Sequence, residues 1–384
     1  MKRFLSLCLV VFFLLGALSG CGVGQEEPIR IGLIAYLKGD GITISSSGTP
    51  TLNGAQLAVN QINENGGIRI GGRSHLVELV VEAIENDTQQ ALDATRRLIE
   101  EQKVVAIIGP QYSGDAIAAG EIAEQVGIPL ISGTSTNPRT TENRRFVFRA
   151  TFTDTYQAIA LADLAYNDLR ARRVAVLYDR EDTYSSELAL LFSASFSNRG
   201  GEMVASETFA SGDWDMDAQF GRIIDAAPDL VFLPVYPAEA IYQAATLRKL
   251  GFSGRLLGGD GWDALALITL PAFEGSYATT TYSAKVKSPA NQTFIADYMA
   301  LYNTDPIDAA GLTYDAINMI FAAIVQQQSF TPLAIRDGLY DLPAYNGASG
   351  PIDYVENGDP IKPINVLQFE RGELKFYKAI QPQE

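Results

Sequence analysis

Cysteine and histidine are almost missing from this 384-residue chain: Cys8, Cys21 and His75 are the whole supply. So few ligands exclude a cysteine metal cluster, and a single histidine makes His-based metal sites and hydrolase triads improbable. His75 itself sits between Gly72 and a strand-like segment, where a turn or surface role fits better than catalysis. Basic residues are short as well, 29 Lys and Arg against 45 Asp and Glu, a net charge of −16. That balance argues against nucleic acid, which needs clustered cations, and against adhesion to anionic lipid through basic patches. No glycine-rich loop ending in Gly-Lys-Ser/Thr is present, and no GxGxxG follows the first strand-like segment, so no nucleotide cradle is expected. No cofactor, metal or catalytic group is indicated, and the chain does not read as an enzyme.

Long hydrophobic runs are also scarce, and the one that stands out is N-terminal. Residues 1–3 are a short basic stretch, and residues 4–18 are uncharged and apolar, too short for a comfortable membrane span. "LSGC", ending at Cys21, resembles a bacterial lipobox; an ordinary signal peptide with a chance cysteine is the alternative. Cleavage before Cys21 would leave 27 basic against 45 acidic residues, net −18, with no partner for a disulfide. Residues 1–20 are thus expected as a lipoprotein signal peptide, Cys21 as the lipidation site, and 21–28 as a polar tether. A lipid at Cys21 would be the only hold on the membrane. The protein is then exported, on the outer side of the bacterial cytoplasmic membrane or in the periplasm.

After the tether, strand-like and helix-like segments alternate. "IRIGLIAY" reads as a strand; Leu52, Ala55, Val59 and Ile62 then share one helical face. "VVAII" (104–108) is a continuous run of the kind buried on both faces of a parallel sheet. Helices are expected over 88–102, 113–125, 155–169, 185–198, 216–226, 237–250, 291–303 and 309–328, with strands between most of them. Two successive βα series of similar size imply two α/β lobes, each with a mostly parallel sheet. The region from 276 onward is too small for a third lobe and is expected to return to both.

Ligands of open parallel sheets sit beyond the carboxyl ends of the strands, where helix N-termini offer free N–H groups and partial positive charge. Two strand ends suit this: "GPQYSGD" (109–115) and "SGTSTNP" (132–138) set hydroxyls and small residues where backbone amides can approach a ligand. Without a lysine in either loop, a carboxylate fits better than a phosphate. Ser113 and Thr136 read equally well as simple helix caps. Asp154 reads as a cap rather than a ligand contact, and Trp262 as either core or pocket wall.

An ordered set of stretches carries a family resemblance: "NGAQLAVNQINENGGI", "RRLIEEQKVVAIIGP", "GIPLISGTSTNP", "FVFRATFTDTYQA", "VAVLYDREDTY", "PDLVFLPVY", "LGGDGWD", "TYDAI" and "YNGASGPIDYVENGD". Running from about residue 29 to about 370, they resemble the leucine/isoleucine/valine-binding proteins of branched-chain amino-acid-type ABC importers. The resemblance implies a two-lobed α/β venus-flytrap of the periplasmic binding protein-like I class, each lobe a mostly parallel sheet flanked by helices. The N-terminal lobe would span 29–153 plus about 282–346, and the C-terminal lobe 154–281 plus about 347–384. It implies a small amino acid or related amide as ligand, held between the lobes. Ser113 would meet the ligand's carboxylate, Thr134 would offer a backbone carbonyl to its ammonium, and Thr136 a hydroxyl and amide to the carboxylate. Tyr184 and Tyr236 would line the cleft from the second lobe, and Asp260 would pair with the ammonium. Partners would be an ABC permease and ATPase complex, the receptor being a monomer; the alternative is a sensory module that signals occupancy to a membrane receptor or regulator. The chain departs from the family at Asp260, where Glu is frequent, at Tyr184-Ser185 for Tyr-Gly, and in the first loop, "LKGDGITISSSGTP", which helps line the side-chain pocket.

Overall fold

The computed structural model describes residues 27–262, 265–354 and 357–381. The expected signal peptide, Cys21 and the tether up to residue 26 lie outside the described residues.

Two sheets organise the chain. The first has five parallel strands in the spatial order Val77–Ile84, Ile29–Tyr36, Ala106–Ile108, Leu130–Ser132, Val147–Arg149. The second has seven, in the order Glu373–Ile380, Ile364–Glu370, Tyr277–Thr280, Arg255–Gly258, Leu230–Leu233, Arg173–Asp179, Glu202–Phe209. Ile364–Glu370 pairs antiparallel with both Tyr277–Thr280 and Glu373–Ile380, and the other pairings in that sheet are parallel. Strands buried on both faces need no alternation, and Ala106, Ile107 and Ile108 are accordingly all buried.

In each sheet the chain winds first to one side and then back across its starting strand. The reversal falls between Ile29–Tyr36 and Ala106–Ile108 in the first sheet, and between Arg173–Asp179 and Leu230–Leu233 in the second. Adjacent loops there leave in opposite directions and open a crevice at the strands' carboxyl ends. The segments that follow those four strands, and those of the strands beside them, open onto this crevice.

The helices Pro289–Tyr302, Asp308–Gln327 and Pro332–Asp341 return to the first sheet. Phe294, Leu312, Ile317, Ile320, Ile324 and Ile335 share one core with Ile29, Ile31 and Leu33. Each such fully buried side chain contributes about 1.5–3 kcal/mol. Asp308–Gln327 is apolar and long enough to cross a membrane, but it is mostly buried as a core helix of this lobe.

Three crossings join the lobes side by side. Thr151 and Thr281 share a hydroxyl hydrogen bond, and Asn365 Nδ2 donates to Thr281 O at 2.8 Å. The expected boundary at 346/347 differs from what is seen. Ala348, Ile352 and Tyr354 pack into the first lobe's core because the hairpin Tyr345–Gly347/Gly350–Ile352 is held to Asp315: Ala348 N and Ser349 N both donate to its carboxylate. The chain rejoins the second sheet only at Ile364.

The expected helix over 155–169 is α-helical from Asp154 to Asp163 and ends in a wider π turn, Leu164–Asp168.

Candidate functional site

The crevice is built from loop chemistry on the first side. Gly109 has φ +79°, and a Cβ there would lie 2.5 Å from Ile34 O, so only glycine fits. The turn, with a cis Gly109–Pro110 bond, delivers Gln111, Tyr112 and Ser113 into the gap. Ser113 is the first residue of helix Ser113–Val126, and Tyr112 holds the cap position without a side-chain bond. The caps expected of Ser113 and Thr136 are thus not formed: Ser113 Oγ accepts instead from Ser135 Oγ at 3.2 Å, and Asn137 caps the short turn Pro138–Thr140. The Thr136 hydroxyl is buried and, among the described residues, meets no partner within strict hydrogen-bond geometry, although it lies near enough to Asp154 to pull that carboxyl's pKa down. An open helix N-terminus beside an unclaimed hydroxyl suits an anion.

Arg149, fully buried, braces this loop from behind. Its guanidinium donates to Ser135 O (2.8 Å), Asn137 O (2.8 Å) and Thr141 Oγ1 (2.8 Å), and pairs with Asp359 at 2.6 Å. Gln111 does the same from the front: Thr134 N donates to its Oε1 (3.0 Å), and its Nε2 donates to Thr51 Oγ1 (3.1 Å) and Thr313 Oγ1 (2.9 Å).

The second side supplies carboxyls. Asp260 opens the turn Asp260–Trp262 and is fixed by Gln157, whose Nε2 donates to Asp260 Oδ1 at 2.8 Å and to Asp154 Oδ1 at 3.2 Å. Gln157 Oε1 accepts from Asp260 N (3.0 Å) and Thr279 Oγ1 (2.7 Å). One amide therefore clamps two buried carboxyls together. Burial pushes the Asp260 carboxyl up to about 6, against the pull of the Gln157 and Tyr184 hydrogen bonds. Burial and then the nearby Asp260 charge raise Asp154 well above the usual carboxylate range. Asp154 is not a cap: Thr153 caps helix Asp154–Asp163, leaving Asp154 inside. A pair of carboxyls so strained electrostatically attracts a cation.

Tyr184 lies in the first turn of helix Thr183–Asn198, where its hydroxyl accepts from Gly261 N at 3.1 Å. Tyr236 stands before helix Pro237–Lys249. Four rings stack through the cleft: Tyr36–Tyr112 at 4.5 Å, Tyr112–Tyr236 at 4.1 Å and Tyr236–Tyr184 at 5.2 Å between centroids. The middle contact joins the two lobes. Offset stacks of this kind add about 0.5–1.5 kcal/mol per pair beyond burial.

Ser113, Thr134, Thr136, Tyr184, Tyr236 and Asp260 all line a single small cavity of about 50 Å³. Ser46, Ser47, Gln111, Tyr112, Asp308 and Ala309 complete much of its wall, and among the described residues no Lys or Arg lines it. The first loop was expected there without naming Ser46 and Ser47, and the other four were not singled out from the sequence. Gln111 and Tyr112 adjoin Ser113 in the quoted loop and could have been found there; Asp308 and Ala309 come from a distant helix and carry no local signal. Trp262 belongs to the core, edge-on to Phe273 and Phe369. His75 is buried against Phe330 rather than at the surface. Among the described residues, no group of three or more His, Cys, Asp or Glu is arranged to hold a metal.

Comparison with known proteins agrees in scale. A family profile described as "periplasmic binding protein" matches residues 28–373. The Leu/Ile/Val-binding protein BraC3 of Rhizobium johnstonii is 28% identical over 354 residues, covering 91% of this chain and 94% of that protein. The leucine-binding protein LivK of Thermotoga maritima superposes with a TM-score of 0.86 at 34% identity, over 92% of this chain and 99% of that one. The branched-chain amino acid transporter substrate-binding protein LivJ of Streptococcus pneumoniae, solved with isoleucine, gives 0.85 at 28% identity, over 92% and 100%.

Proposed function

The chain belongs to the periplasmic binding protein family, in its leucine/isoleucine/valine-binding branch, and from that premise we propose that it is the extracytoplasmic receptor of an ABC importer for a small amino acid or related amide. The observation that carries this reading is the pairing of opposite sites across one cavity. Ser113, Thr134 and Thr136 on the first lobe face Asp260 and Tyr184 on the second. A zwitterion needs an anion site and a cation site a few ångströms apart. Each charge-assisted hydrogen bond contributes about 1.5–3 kcal/mol, and micromolar binding requires about 8 kcal/mol in all. A few such bonds plus side-chain burial suffice.

In this reading Ser113 and Thr136 take the carboxylate, the Thr134 carbonyl and Asp260 take the ammonium, and Tyr184 and Tyr236 close over it. Ligand contacts both lobes only when they are together, so it shifts the population toward the closed form by that difference. The closed form is what a permease would recognise. The lobes turn about the three crossings that pass Thr151, Thr281 and Asn365. Cys21 would carry the lipid that keeps the receptor at the membrane.

The test is a thermal-shift screen of the purified chain against amino acids, amides and small carboxylates. Binding to the folded state raises the melting temperature by linkage. At least one α-amino acid should raise it, and Asp260→Ala should abolish that rise; a response confined to sugars or nucleosides, or one that Asp260→Ala leaves intact, would refute the zwitterion assignment. Cys21→Ser should move the protein from the membrane to the soluble fraction, and retention in the membrane would remove the lipid anchor.

A further inference from the structure

The head-group residues account for only part of the cavity. What remains to meet the ligand's side chain is Ser46, Ser47, Tyr112, Pro237, Asp308 and Ala309. For an aliphatic ligand this wall is badly matched, because the polar atoms it presents are buried.

Ser47 is the sharpest case. It sits in the π turn Ile44–Gly48, within the loop that departs from the family pattern. Its neighbours fold their hydroxyls back onto the chain: Ser45 Oγ and Ser46 Oγ both donate to Ile42 O, at 3.0 and 2.7 Å. Ser47 does not. It is 5% exposed, and its Oγ is buried with no partner among the described residues. A buried hydroxyl without a partner is costly, and such groups are normally satisfied. Ser47 lines the cavity, so its partner is to be sought in the ligand.

Asp308 lies on the same cavity. Its carboxylate accepts from Tyr282 N at 2.9 Å and Thr281 N at 3.4 Å, which holds it in place. A ligand carboxylate would find no Lys or Arg in the cavity wall among the described residues, and so compact a cavity disfavours a long basic side chain.

Resting on the receptor reading above, we infer that the ligand is a small α-amino acid whose side chain carries an uncharged hydroxyl or carboxamide, recognised by Ser47. The ligand hydroxyl or amide exchanges a hydrogen bond with Ser47 Oγ. A branched aliphatic side chain of the same shape leaves that hydroxyl desolvated and unpaired. Sites built around a hydroxyl reject the analogue that lacks it far more strongly than apolar pockets reject a methylene.

L-Threonine and L-valine have the same shape and differ in that one group. Calorimetric titration of the full-length chain should show L-threonine, L-serine or L-asparagine binding at least about tenfold more tightly than L-valine or L-leucine. Ser47→Ala should narrow the threonine-to-valine ratio at least about fivefold, through weaker threonine binding and equal or tighter valine binding. Valine or leucine binding as tightly as the polar ligands would overturn the inference and leave the receptor reading standing; that comparison needs no variant. A ratio unmoved by Ser47→Ala would also overturn it. Failure of every α-amino acid to bind would remove the receptor reading and this inference together.

Discussion

At the residue scale, the cleft works by leaving polar groups unfinished. Among the described residues, Thr136 Oγ1, Ser47 Oγ and one Asp154 oxygen are buried without a well-formed hydrogen bond, Thr136 and Asp154 lying near one another. The surrounding structure holds them there. Gln157 clamps the two carboxyls, and Arg149 spends its guanidinium on the carbonyls of the loop that carries Thr136. Burial lowers the pKa of that guanidinium, and the Asp359 carboxylate works against the shift. Removing one member of a buried ion pair typically costs about 3–5 kcal/mol, since the other is left uncompensated. Arg149→Met should lower the unfolding free energy by about that amount in urea titration, and should weaken ligand binding because Ser135 and Asn137 lose their brace. Asp359 is still partly solvated, which places the expected cost toward the lower end. Arg149→Lys can reach only some of the acceptors and should fall between. Wild-type stability in Arg149→Met would show that the loop is held by other means.

At the scale of elements, periodicity located most of the helices and strands to within a few residues. The first strand was legible as Ile29–Tyr36, and the helix starts at 88 and 113 fell where expected. What escaped was short or non-local. Val147–Arg149 is three residues long, too short for alternation to register, yet it closes the sheet edge and carries Arg149. The π turn at Ile44–Gly48 has no apolar period, being mostly serine. Family resemblance placed six residues on the cavity wall, but the residues that face a ligand side chain came from the divergent first loop and from helix Asp308–Gln327. The loop matches no shared pattern, so only the resemblance placed it at the pocket without naming residues, and Asp308 is some 200 positions from Ser113 along the chain. Strand order accounts for the first loop, which follows Ile29–Tyr36, whereas Asp308 enters with the helix that returns to the first lobe. Segments that leave the strands on either side of each reversal point must face one crevice, however far apart they lie in sequence. The same limit explains the boundary expected near 346, since the hairpin is tied to the first lobe by long-range contacts: the Asp315 hydrogen bonds and the packing of Ala348, Ile352 and Tyr354 into that core.

At the scale of the whole molecule, closing the lobes brings like charges together. Glu239 and Asp182 stand on the second lobe; Asp40 and Asp115 stand on the first. Burial pushes Glu239 up to about 7, with further upward pressure from Asp179, Asp182 and Asp40. Burial pushes Asp182 up to about 6, helped by Asp179 and Asp115, and Asp260 also reaches about 6. In an open or unfolded chain these carboxyls regain water and return toward their ordinary values near 4. The closed, empty state therefore binds more protons than its alternatives between about pH 4 and 7. Stability from these groups is present at the acid end of that window and is lost as pH rises through 6 to 7. The overall excess of negative charge acts in the same direction. In the proposed binding mode, a ligand ammonium at Asp260 would supply the missing cation and offset the loss. Small-angle scattering of the empty chain at low ionic strength, where these charges are least screened, should show a larger radius of gyration at pH 8 than at pH 5. Bound amino acid should restore the compact form at pH 8, and its affinity should fall as pH drops below about 6, where Asp260 takes up a proton. Glu239→Gln should flatten the upper part of the opening curve. A radius of gyration that stays constant, or shrinks as pH rises, would mean that electrostatic repulsion between the lobes does not govern closure.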